Sequence, residues 1–233
     1  MTHSPPWQKP VAITAGTTFV VALLSRLPDS YSATAVGFAF LAVTYILVLR
    51  SDDSAKIARH GLSFGGLFDP EPLSLSRIAR DTGTALLWAL GLALIFLPAF
   101  WVGFLWWWRI RVPFHAPPAS SLGSDLSGQL LVIALPEEAF YRGYLQSALD
   151  EAYKPRWRVF GAELGPGLLL TSTLFALGHL FTEFNAARLA VFFPSLVFGY
   201  LRSRTRGVGA GLIFHALCNL FASYLGQSYG FPR

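Results

Sequence analysis

Three ionisable side chains fall within six positions of an otherwise apolar run: Glu137, Glu138 and Arg142. A charge at the centre of a membrane helix costs about 2.5 to 3.5 kcal/mol on insertion scales, so such groups face a partner, a cavity or a reaction. Glu138 and Arg142 are four residues apart, share one helix face and can pair. Glu137 points about 100° away around the helix and is left for another role. Two more polar pairs interrupt apolar runs: Phe175 with His179, and His215 with Asn219, each at i to i+4 and so each on one face of its helix. Packed around a common cavity, these helices would offer a carboxylate, two imidazoles, an amide and a guanidinium, an inventory suited to hydrolysis. Glu137 would take a proton from a water that His179 helps to orient, and the water would attack a peptide carbonyl. His215 and Asn219 would then donate to the oxyanion.

Plainer readings compete with this one. Glu138 and Arg142 could be a buried ion pair that fixes helix register, although that leaves Glu137 unexplained. A membrane histidine can serve only as an interhelical hydrogen bonder. Two histidines and a carboxylate are also a zinc set, but H-E-x-x-H is absent and ligands on three separate helices give no spacing test. The expectation is a site that works without metal or other cofactor, with zinc as the alternative. Gly61-Leu62-Ser63-Phe64-Gly65 matches G-x-S-x-G, yet a hydrolase elbow needs a strand before it and a helix after it, and this stretch falls in a loop between apolar runs. Cys218 lies three residues from His215 and is expected to be a packing thiol. As the only cysteine it excludes an intrachain disulfide. His3, His60 and His115 lie in expected loops and receive no role.

Positioning this set falls to the elements around it. Hydrophobic residues make up 53% of the chain and charged residues 13%, against about 25% charged in soluble domains, which excludes an ordinary soluble protein. Apolar runs near the ~20 residues needed to cross a hydrocarbon core recur along the sequence. They predict an all-α, polytopic transmembrane helical bundle with about seven spans: 11–24, 33–49, 82–108, 126–149, 167–181, 189–201 and 208–225. We read one membrane domain overall, with amino-terminal spans and a polar loop in 1–81 and the helical core that carries the site in 82–233. The first run could instead be a signal peptide ending at Ala33-Thr34-Ala35, but only Lys9 precedes it and the triplet belongs to the next run. Arg50, Lys56, Arg59, Arg77 and Arg80, interrupted by Gly65, Gly66, Pro70 and Pro72, suggest a loop with a membrane-surface segment. Pro98 is an expected kink and Trp106, Trp107 and Trp108 an interfacial anchor. The Pro-rich stretch from Pro113 to Ser121 reads as a loop. Gly199, Gly207, Gly209 and Gly211 suit close helix approach.

The net charge of +5 comes from cations at the ends of apolar runs, which fits membrane lipid and topology and excludes nucleic acid as a partner. With the amino terminus inside, twelve cations fall inside and five outside (Arg26, Arg109, Arg111, Arg188 and Arg233), with Arg142 in the membrane. The bias predicts a cytoplasmic amino terminus.

Glu137-Glu138-Ala139-Phe140-Tyr141-Arg142 resembles the EExxxR motif, Phe175 to His179 the FxxxH motif, and His215 to Asn219 the HxxxN motif, of the CPBP family. That family comprises type II CAAX prenyl endopeptidases, bacteriocin-processing proteins and related glutamic intramembrane proteases. Order, spacing and helical context agree over about 100 residues. The resemblance implies an intramembrane glutamic endopeptidase in which Glu137 and His179 activate water, His215 and Asn219 form the oxyanion hole, and Glu138, Arg142 and Phe175 support them. It implies a membrane-anchored or lipidated substrate, namely a prenylated tail, a leader peptide or a carboxyl-terminal sorting helix, and a place in a bacterial inner (plasma) membrane. Leu135 to Glu138 also resembles the myxosortase-like group that processes sorting helices. Rival classes are a non-catalytic immunity or binding protein of the same fold, and a proton-coupled transporter using Glu137 and His179 as a relay. A transporter is expected to show repeats or broken helices, and only Pro98, Pro136 and Pro194 suggest breaks.

Overall fold

The computed structural model describes residues 5–68, 72–118 and 122–230. His3, Pro70, Ser121 and Arg233, named above, lie outside them. Eight helices run through these residues, and the only strands among them form one short hairpin, so the fold is all-α as expected. In chain order they are α1 (Gln8–Leu24), α2 (Asp29–Thr44, continued by a π-helical turn Tyr45–Leu49), the short α3 (Ser54–Arg59), α4 (Leu75–Trp107), α5 (122–153), α6 (Pro166–Thr182), α7 (Phe192–Thr205) and α8 (Gly209–Ser228). Every expected span falls on one of them.

Among the described residues three helices are long and apolar enough to cross a membrane: α2 with its π turn, α4 and α8. The shorter α1 and α6 are also apolar. Leu87, Leu94, Ile95 and Val102 of α4 are exposed, as lipid-facing side chains would be. At 33 residues α4 is about 50 Å long, more than a ~30 Å hydrocarbon core needs, which leaves its first turns, with Arg77, Arg80 and Asp81, outside. The helix continues through Pro98. In α1, Thr14 and Thr17 donate their hydroxyls to the carbonyls of Pro10 and Ile13, at 2.8 and 2.9 Å, so polar groups stay satisfied in apolar surroundings.

α5 is the axis of the fold. α2, α6, α7 and α8 all pack against it, α4 lies along α8, and α1 sits between α2 and α6. Its backbone passes through Leu122–Ser127, a π-helical stretch Gly128–Ala134, Leu135–Glu138, a second π-helical stretch Ala139–Gln146, and Ser147–Tyr153. Pro136 has no N–H to return to the Val132 carbonyl, and the first π stretch absorbs that missing bond. Gly37 of α2 packs over the same carbonyl: a Cβ there would stand 2.7 Å from Val132 O, so α2 reaches α5 this closely only with glycine. The hairpin was not expected. Trp157–Val159 pairs antiparallel with Ala162–Leu164 through a two-residue turn, Phe160 and Gly161, both at positive φ as a tight twisted hairpin requires.

Candidate active site

Arg142 and Glu138 are fully buried on α5, with Nε and Oε2 3.4 Å apart. The contact is one of charge more than direction, because neither atom reaches hydrogen-bond geometry. The other end of the guanidinium is held firmly: Nη2 donates to the hydroxyl of Ser195 at 2.9 Å and to its carbonyl at 3.2 Å. Its plane lies 4.7 Å from the centre of the Phe175 ring and 5.4 Å from that of Phe198, so a cation that lipid would reject rests between two aromatic faces. Arg142 thereby ties α5 to α6 and α7.

Glu138 has a second partner. Its Oε1 accepts from His215 Nδ1 at 3.0 Å, which joins α5 to α8. The His215 ring stacks on Phe198, centroids 4.5 Å apart and 13° from parallel. Glu138 thus pairs with Arg142 as expected and has a further partner: one carboxylate holds both a guanidinium and an imidazole. With Nδ1–H directed at Glu138, the neutral ring carries its lone pair on Nε2, and Nε2 becomes a donor only in the imidazolium form. Nε2 faces Glu137 Oε2 at 3.8 Å.

His179, near the end of α6, directs Nδ1 to the carbonyl of Phe175 at 3.0 Å. A carbonyl only accepts, so Nδ1 carries the proton and Nε2 is left with the lone pair. Phe175 thus supports the site twice, with its carbonyl on His179 and its ring under Arg142. Glu137 and His179 line one cavity of about 210 Å³, together with Thr18 and Val21 of α1, Gly37 and Phe40 of α2, Tyr141 of α5 and Gly178 of α6. Glu137 Oε2 is buried and accepts no hydrogen bond from the described residues. His215 and Asn219 do not line this cavity. His215 meets it through Glu137, whereas Asn219, one turn farther along α8, donates its amide to Gln129 Oε1 at 2.9 Å.

Two residues of this arrangement carry no sequence signal beyond being polar within apolar runs, Ser195 and Gln129. Phe198, expected to face lipid or to pack, packs against His215 and Arg142. Ser63 of the G-x-S-x-G stretch accepts from the Gly66 amide at 3.1 Å in a turn after α3, with no strand before it. Cys218 is half-buried on α8. Among the described residues no three His, Cys, Asp or Glu side chains converge closely enough to bind a metal.

The sequence profile described as type II CAAX prenyl endopeptidase Rce1-like matches residues 122–221. This segment resembles an Rce1-like domain. It contains Glu137, Glu138, Arg142, Phe175, His179, His215 and Asn219, and it spans α5, α6, α7 and most of α8. The chain is an integral membrane protein, and its segment 122–221 is similar to the type II CAAX prenyl endopeptidases that the profile describes. No curated protein and no solved structure matches it. Helices α1 to α4 lie outside this segment, yet α1 and α2 supply one wall of the cavity beside Glu137.

Proposed function

We propose that this chain is a glutamate-dependent intramembrane endopeptidase. One observation carries the reading: Glu137 and His179 line one cavity, Glu137 Oε2 accepts no hydrogen bond from the described residues and has the His215 ring 3.8 Å away, and His179 commits Nδ1 to the Phe175 carbonyl, which leaves its Nε2 for a ligand. Glu137 takes the proton as water adds to a peptide carbonyl, and His179 orients that water through Nε2. The C–N bond then breaks, the hydroxyl stays on the carbonyl carbon, and the proton passes to the leaving amine. His215 steadies the developing negative charge only if it enters the step already protonated on both ring nitrogens, with Glu138 as its counter-charge, and it keeps both protons throughout, because only that form donates from Nε2. Asn219 joins it once its amide turns from Gln129. Arg142 stabilises Glu138 and with it the orientation of His215.

The substrate is a membrane-anchored polypeptide, in a bacterial inner membrane that the chain crosses with about seven spans and a cytoplasmic amino terminus. The test is direct. Purified protein is incubated with co-expressed membrane proteins and new termini are mapped by mass spectrometry. Defined cuts at membrane-proximal peptide bonds are expected, and no new terminus in any of them would sink the reading.

A further inference from the structure

The cavity beside Glu137 has a direction. Its floor is Phe40 and Tyr141, whose ring centroids are 5.6 Å apart, and below them the bundle is filled by the buried side chains of Phe140, Leu145 and Val48. Its mouth lies at the opposite end, past Ser25 at the close of α1, Ser32 at the start of α2 and Arg188 after α6. That is the end where α1 turns into α2 and α6 into α7. The other end carries the turns that follow α2, α5 and α7, and with them half of the eighteen cations of the chain: Arg50, Lys56, Arg59, then Lys154, Arg156 and Arg158, then Arg202, Arg204 and Arg206. Cation-rich turns stay on the cytoplasmic side, so the closed floor faces inward and the mouth faces outward. From Asp29 to Gly37, which packs on α5 just before Glu137, is eight residues, or about 12 Å of helix.

We infer that the site is reached from the outer face of the membrane and that its substrate is a segment of an exported, membrane-anchored polypeptide, which enters between α1 and α2. A tail presented on the cytoplasmic face is not a substrate. The packed aromatic rings of Phe40 and Tyr141 close that route, and Ser25, Ser32, Thr182 and Arg188 line the opposite end of the cavity. Helices α1 and α2, which the Rce1-like profile does not reach, would therefore select the substrate.

This inference rests on the peptidase reading for its substrate but not for its access route, and the experiment separates the two. In a Cys218→Ala background, single cysteines are placed at the mouth (Ser32→Cys), one turn deeper (Val36→Cys) and at the cation-rich end (Asp52→Cys). Sealed cells are treated with a membrane-impermeant maleimide. Ser32→Cys and Val36→Cys are expected to react about tenfold faster than Asp52→Cys, since only a thiolate in water reacts, and Asp52→Cys should catch up once the membrane is opened. The reverse pattern overturns the access route, as does a Val36→Cys that stays unlabelled on both sides while Ser32→Cys reacts. Single-span reporters bearing one randomised segment on the outer or the inner side are then co-expressed with the wild-type protein. Cleavage of the outer reporter alone supports the substrate, and cleavage of the inner one alone refutes it. Outward labelling with neither reporter cut refutes the peptidase reading and leaves the route standing.

Discussion

Arg142→Ala tests whether the buried charges are one structure or a set of neighbours. The side chain is fully buried, and its removal deletes the 3.4 Å contact with Glu138, two hydrogen bonds to Ser195 and the packing between Phe175 and Phe198. Breaking a buried ion pair from one side costs about 3 to 5 kcal/mol in soluble proteins, because the remaining charge stays desolvated. Interhelical polar contacts in membranes average only about 0.6 kcal/mol, with a maximum near 1.7, since the unfolded chain in lipid finds other partners. Arg142 makes several contacts at once, so we expect a loss between these limits, about 2 to 4 kcal/mol. At roughly 2 to 4 °C per kcal/mol for a chain of this size, Tm in detergent should fall by on the order of 5 to 15 °C. Adding Glu138→Gln to Arg142→Ala should recover at least half of that, because a neutral amide still accepts from His215 Nδ1 and is cheaper to leave without its arginine. A single variant within about 1 kcal/mol of wild type, or a double variant no more stable than the single one, would refute the reasoning.

Other outcomes follow from the same geometry. Cys218→Ala and thiol or serine reagents should leave cleavage intact, as neither Cys218 nor Ser63 meets the cavity; a folded Cys218→Ala protein without activity would contradict this. Chelator-washed protein should keep its activity, because no three potential ligands converge among the described residues, whereas stoichiometric zinc whose removal and return switch activity off and on would overturn it. Asp150, in the last turn of α5 beyond the expected membrane span 126–149, has its carboxyl pushed up to about 6, chiefly by burial and against the pull of Arg202. The folded state thus binds this proton more tightly than the unfolded one, so stability should fall as pH rises from about 4 to about 6 and stay low above that. Asp150→Asn should flatten this part of the pH–stability curve, and an unchanged slope would remove Asp150 as its source.

Local periodicity explains what could be read from the chain. Each apolar run fell on a helix, although α4 begins seven residues before the expected 82, and the four-residue spacing of Glu138 and Arg142 was enough to pair them, since both ends of that contact lie on one helix. Contacts between helices were less legible. That Glu138 also takes His215, 77 residues away, and that Arg142 reaches Ser195, depends on how α7 and α8 lean on α5. The two π-helical stretches of α5 left a trace only at Pro136, and their effect on the facing of side chains could not be counted from a regular period. The hairpin at Phe160 and Gly161 was hidden because Phe-Gly is not among the usual turn pairs. The amino-terminal helices matched no motif, yet they wall the cavity, because shape complementarity to α5, such as Gly37 over Val132, leaves no signature in residue type alone.

The central claim is that Glu137 is the base, and one comparison tests it most directly. Wild-type protein and Glu137→Gln are purified side by side and assayed on a substrate whose cut has been mapped, with thermal unfolding measured on the same samples. The amide keeps the size of the carboxylate but cannot take the proton, so the account predicts cleavage lowered by about 10² to 10⁴-fold with Tm nearly unchanged. A Glu137→Gln protein that cuts the same bond at the wild-type rate would contradict it.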